Sequence, residues 1–117
     1  MTNIIRMVAT IGIVFLFIVS FVSISMAADT VAAGQKLFMD KKCNTCHSID
    51  SAKISKKLAS SKAPDLSNVG SEQTAEWIQK WLKKEVELHG KKHTFAWTGT
   101  PEEAKTIAEW LATLKKQ

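Results

Sequence analysis

The chain has 117 residues, a formal net charge of +5, two cysteines and three histidines. About ninety residues remain if the first 27 are removed as a leader, and chains of that length bury only about 60–65% of their unfolded surface. The length therefore allows one small domain with a thin core and excludes a second. The positive charge fits an acidic or anionic partner and equally fits ordinary solubility, so it excludes neither.

Residues 1–27 are predicted to be a signal peptide rather than part of the fold. Arg6 gives a positive end, residues 7–24 are almost wholly apolar, and small residues precede the expected cleavage after Ala27. The domain would then comprise residues 28–117 and be periplasmic. The apolar run has about eighteen residues, close to the minimum for a membrane span, so a membrane anchor over residues 7–24 stays open if the leader is not cleaved.

The rest of the chain shows no period-two alternation, and we predict an all-α domain. A first helix is expected over residues 31–40, with Asp29 or Thr30 as its N-cap. Gly34 and Phe38 share one face of this helix, four residues apart.

The segment directly after this helix reads Cys-Asn-Thr-Cys-His and predicts covalent attachment of haem. Two thiols at this spacing, Cys43 and Cys46, can add to the two vinyl groups of one porphyrin. His47 then becomes the proximal iron ligand. We therefore expect one covalently bound haem c, which would be the largest element of the core.

Two other uses of this motif, a redox dithiol and a zinc site, fit the sequence less well. A redox dithiol would require a βαβ setting, for which the chain has no strand pattern. A zinc site would require further ligands at finger spacing, whereas the other histidines, His89 and His93, are far along the chain.

Three segments follow in the predicted order. Residues 51–63 are expected to form a lysine-rich loop with a turn of helix around 54–58. A second helix is predicted over residues 75–88, capped by Thr74 or Ser71, with Trp77 on an apolar stripe that we expect to contact the haem. A last helix begins after Thr100 with Pro101 at its first position and Glu103 completing a capping box.

With these elements in order, the chain resembles the small single-haem class I cytochromes c of bacteria. The resemblance implies a helical fold around one haem with an exposed edge, and first and last helices that cross through Gly34, Phe38, Ile107 and Trp110. It also implies that the carbonyl of Pro64 accepts the ring N–H of His47.

The chain departs from the family at the sixth iron ligand, which is usually a methionine before the last helix. All four methionines of this chain precede the haem motif, and His93 stands in the corresponding loop. His93 is therefore the predicted distal ligand, with His89 as the second candidate. Imidazole is a stronger donor than a thioether, so the haem should be low-spin with a lowered potential.

The predicted function is electron transfer rather than an enzymatic reaction, because two protein ligands leave no open position on the iron. The expected partners are other redox proteins that dock transiently at the haem edge. We predict no nucleic-acid partner, and a membrane contact only through an uncleaved leader. The alternative is a module that binds or senses carbon monoxide or nitric oxide at an open sixth position. A peroxidase is disfavoured because the only distal acid–base candidates are the histidines already needed as ligands.

Overall fold

The structure is a computed structural model that describes residues 28–116, so the predicted leader and the choice between cleavage and anchoring lie outside the described residues. The described part is helical and contains no strand, only two isolated bridges, which confirms the all-α prediction. Its helices are α1 (residues 28–40), a 3-10 turn at Cys43–Thr45, a second 3-10 turn at Asp50–Ala52, α2 (Val69–Glu72), α3 (Ala75–Leu82) and α4 (Pro101–Thr113). No helix among the described residues is both long and apolar enough to cross a membrane.

Helices α1 and α4 cross closely, as predicted, because α1 has a glycine at the contact. A Cβ atom added at Gly34 would collide with the Cβ of Trp110 and lie 2.6 Å from its Cγ. One turn later, the rings of Phe38 and Trp110 meet edge to face, with centroids 5.7 Å apart and planes at 71°. Both aromatic residues are fully buried, with Ile107 beside them in the core.

Helix α4 begins where the sequence predicts. The hydroxyl of Thr100 accepts a hydrogen bond from the backbone N–H of Glu103 at 3.1 Å, and the Glu103 carboxylate accepts from the N–H of Thr100 at 3.0 Å. This capping box satisfies N–H groups that a helix start leaves free. The same carboxylate is 3.1 Å from the ammonium of Lys41, so the start of α4 is also tied to the residue after α1.

Helix α3 is shorter than predicted and ends at Leu82, not at residue 88. Lys84 adopts a left-handed conformation with φ 60°, and its N–H donates to Trp81 O while Glu85 N–H donates to Lys80 O. These two bonds form a Schellman motif, which closes a helix at its C-terminus. Thr74 is the N-cap of α3, since its hydroxyl accepts from Trp77 N at 3.2 Å.

Three further local predictions were wrong or incomplete. Asp29 and Thr30 are not N-caps, because residues 28–30 already belong to α1. Residues 54–58 form no helical turn, since Ile54 instead pairs with Ile49 through N–H···O bonds of 2.8 and 3.0 Å. The short helix α2 was not predicted, and it contains Ser71, the other candidate cap.

Asp65 joins the segment after His47 to the segment after Pro64. Its carboxylate accepts hydrogen bonds from the hydroxyl of Ser48 at 2.7 Å, the N–H of Asp50 at 3.0 Å and the N–H of Ser67 at 2.9 Å. Desolvation alone would raise the pKa of Asp65, but these hydrogen bonds, with that of the Ser67 hydroxyl, together lower it to about 2. The ionised carboxylate is thus the acceptor that holds the two segments together.

We expect Gly34→Ala to destabilise the folded haem protein by about 2–3 kcal/mol, because the added methyl meets the rigid Cβ of Trp110 in a packed crossing. Denaturant unfolding followed by circular dichroism measures this change. The control Ala33→Gln, on an exposed position of the same helix, should stay within about 0.5 kcal/mol of the original protein. An unchanged midpoint for Gly34→Ala would contradict the close crossing.

We expect the stabilisation by Asp65 to be lost in acid. Its pKa is about 2 in the folded protein against 3.8 ordinarily, so its contribution is complete above the higher value and disappears as the pH falls through about 2. The side chain is solvent-exposed, so Asp65→Asn should cost only about 1 kcal/mol near neutral pH and almost nothing near pH 2.

Urea unfolding at several pH values measures this difference. Asp50→Asn is the matched control, because Asp50 contributes its backbone N–H and not its carboxylate to the contact. If Asp65→Asn lowered the free energy of unfolding equally at every pH, the two segments would be held by the shape of the side chain and not by its charge.

Candidate functional site

The two cysteines are presented by a tight turn that follows α1 directly. Helix α1 is closed by Lys42, which has φ 59° and donates its N–H to Met39 O. The 3-10 turn then brings the N–H groups of Cys46 and His47 onto the carbonyl oxygen of Cys43, at 3.2 and 3.0 Å. Both thiols are half-buried and are not joined in a disulfide, and burial raises the pKa of the Cys43 thiol. The thiols and the imidazole therefore belong to one rigid hydrogen-bonded turn.

The ring of His47 is oriented by a hydrogen bond to the backbone. Its Nδ1 lies 2.8 Å from the carbonyl oxygen of Pro64, the contact that the resemblance implies. A carbonyl only accepts, so Nδ1 carries the proton and Nε2 keeps its lone pair. Burial lowers the pKa of His47, although the Pro64 bond partly opposes this. The imidazole is thus neutral, the form that binds a metal.

His93 has the same arrangement on the other side of the site. Its Nδ1 lies 2.6 Å from the carbonyl oxygen of Phe95, two residues later in the same loop. Nδ1 therefore donates, so Nε2 is again the nitrogen through which this ring would bind a metal. The side chain is half-buried, and its ring meets the ring of Trp81 at 65° with centroids 5.9 Å apart.

The imidazoles of His47 and His93 lie close together and nearly parallel. Their ring centroids are 6.3 Å apart and their planes differ by only 12°. A metal–nitrogen bond of about 2.0 Å, with each centroid about 1.1 Å behind its nitrogen, separates two opposed imidazoles on one metal by about 6 Å. The donor set and the spacing of the rings are therefore compatible with both imidazoles holding one haem iron.

His89, the second candidate for the distal ligand, lies elsewhere. Leu88 and Lys91 exchange N–H···O bonds of 2.8 and 3.1 Å, and His89 and Gly90 between them have φ values of 51° and 71°. Two such residues form a type I′ hairpin turn. His89 is exposed at the tip of this turn, so the structure brings His93 to His47 and leaves His89 outside.

Trp77 contacts His93 indirectly, through Trp81. Its ring stacks on that of Trp81, with centroids 5.2 Å apart and planes at 15°, and Trp81 in turn contacts His93. Sequence analysis did not identify Trp81 as a site residue. Its four-residue spacing from Trp77 was the available signal, since residues at this spacing share a helix face.

The fold and this site agree with what the chain is similar to. The sequence profile of the family described as Cytochrome c matches residues 31–115. Cytochrome c-551 of Ectopseudomonas mendocina is 32% identical over 92 residues, which cover 72% of this chain and 100% of that relative. No solved structure matches the chain significantly.

The family profile covers the helices, the Cys43-to-His47 turn and the loop that contains His93, so the likeness is not confined to the five-residue motif. Proteins of the cytochrome c-551 type carry electrons on a covalently attached haem. The chain therefore belongs to the cytochrome c family and is an electron-transfer protein with one covalently bound haem c.

Proposed function

We propose that this cytochrome carries single electrons on a low-spin haem held between His47 and His93. The observation that supports this most strongly is the pair of nearly parallel imidazoles, 6.3 Å apart, each with Nδ1 bonded to a backbone carbonyl. When bound, the haem supplies a one-electron Fe(III)/Fe(II) couple. The protein's part is to hold the metal, set its electron affinity and limit access to it.

The residues of the site have separate roles in this proposal. Cys43 and Cys46 form the two thioether links, and His47 binds the iron from the proximal side. The carbonyl oxygen of Pro64 accepts a hydrogen bond from Nδ1–H of His47, which fixes the tautomer and makes the ring a stronger donor. Phe95 does the same for His93 through its own carbonyl.

Two imidazole ligands favour the ferric state. A thioether ligand would stabilise Fe(II) and raise the potential, and no methionine follows the haem motif in this sequence. Met39, the only methionine among the described residues, has an exposed side chain at the end of α1. We therefore propose a potential at the low end for this fold.

We further propose that the protein works in the periplasm and exchanges electrons with other redox proteins through transient contacts. The leader predicted from residues 1–27 supports export. Lysines near the haem turn, among them Lys41, Lys42, Lys56 and Lys57, give the surface the positive charge that would steer an acidic partner. Cell fractionation of the tagged, full-length chain tests the location.

Replacing His93 by Ala should convert the oxidised haem from low-spin to high-spin and let the reduced protein bind carbon monoxide, because one iron position then opens. His89→Ala is the matched control and should leave both properties unchanged, since His89 is exposed at a hairpin tip. Absorption and electron paramagnetic resonance spectra of the oxidised proteins, and carbon monoxide difference spectra of the reduced ones, measure the outcome.

Each opposing result has a definite meaning. A methionine–iron charge-transfer band in the oxidised protein would rule out the proposed ligand pair. Immediate binding of carbon monoxide by the unmodified reduced protein would favour a sensing module with an open sixth position. High-spin conversion by His89→Ala alone would assign the ligand to His89.

A further inference from the structure

We propose that Trp81 is a positioning residue that sets the rotation of the His93 ring, and thereby keeps the two axial imidazoles nearly parallel. The proposal rests on the proposed His47/His93 ligation and concerns how that ligation is oriented. It adds to the site a residue of α3, which lies outside both the thioether turn and the His93 loop.

The His93 ring has a hydrogen bond within its own loop and a ring contact from outside that loop. It lies outside the helices, and its bond from Nδ1 to Phe95 O reaches a carbonyl only two residues away in that same loop. A hydrogen bond within one loop fixes the ring relative to that loop, but it leaves the ring free to turn together with the loop against the rest of the protein. The contact with the Trp81 ring, at 65° and 5.9 Å, restricts that turning from outside the loop.

Trp81 is itself held on a rigid element. It belongs to α3, which is closed at one end by the Thr74 cap and at the other by the Schellman motif at Lys84. Its ring stacks on Trp77 one turn earlier, at 5.2 Å and 15°. The position of the His93 ring therefore depends on the orientation of α3, because His93 contacts Trp81 and Trp81 is held by its stacking on Trp77.

The ring orientation has a spectroscopic consequence. In a low-spin ferric haem, two planar ligands lying parallel act on the same iron d orbital and separate it in energy from its partner. Parallel imidazoles therefore give a rhombic electron paramagnetic resonance spectrum, whereas perpendicular imidazoles give a highly anisotropic one. The angle of 12° between the rings predicts the rhombic type.

The test compares the purified, oxidised holoprotein with three variants by electron paramagnetic resonance at low temperature. Trp81→Leu should move the spectrum from rhombic towards highly anisotropic, or split it into two low-spin species. Trp81→Phe keeps an aromatic edge beside His93 and should retain the rhombic spectrum. Ile78→Ala, a buried position on the same helix, should lower the thermal midpoint and leave the spectrum unchanged.

The possible results separate this inference from the function on which it rests. A rhombic spectrum that survives in Trp81→Leu, or a shift in Ile78→Ala as large as in Trp81→Leu, would overturn the role of Trp81. If Trp81→Leu does not mature, the unmodified protein still decides: a highly anisotropic His/His spectrum would contradict the parallel rings while leaving the ligands intact. A high-spin or methionine-ligated spectrum would instead overturn the proposed function.

Discussion

Two hydrogen bonds from imidazole Nδ1 atoms to backbone carbonyls are the interactions on which the site of this cytochrome depends. They assign the proton to Nδ1 in both His47 and His93 and so leave Nε2 of each ring available to a metal. Because the acceptors are main-chain oxygens of Pro64 and Phe95, the nitrogen that each ring keeps for a metal depends on the path of two loops. Much of the remaining structure can be understood as support for those loops.

The proximal side is supported mainly by charge and the distal side mainly by aromatic packing. On the proximal side, the carboxylate of Asp65 accepts hydrogen bonds from the segments that follow His47 and Pro64, which keeps the Pro64 carbonyl close to the His47 ring. On the distal side, Trp81, which stacks on Trp77 in α3, packs against His93 in a loop without a helix and so restricts the motion of its ring. The two imidazoles can therefore respond differently to acid and to mutations in the core.

The sequence predicted the elements that depend on near neighbours. The start of α4 was correct because Thr100, Pro101 and Glu103 act within one turn, and the α1–α4 crossing was correct because Gly34 and Trp110 match a known family pattern. The end of α3 was missed, since a lysine occupies the left-handed position where glycine is the usual signal. The Ile49–Ile54 pairing and the Trp81–His93 contact were not predicted because both are set by how segments meet, which local propensity does not encode.

Whether such a site transfers electrons or senses gases depends on how firmly the distal loop is closed, and not only on which residue binds the iron. If His93 binds the iron as proposed, its covalent tether to the protein gives it a high effective concentration in competition with a free ligand such as carbon monoxide. Opening of the loop reduces that advantage. The loop is fastened back to α3 by Trp97, whose N–H donates to Leu82 O at 2.9 Å while its indole N–H donates to Thr100 O at 3.1 Å. One residue thus joins the end of α3 to the start of α4 across the His93 loop, and this closure supports the proposed binding of His93 to the iron.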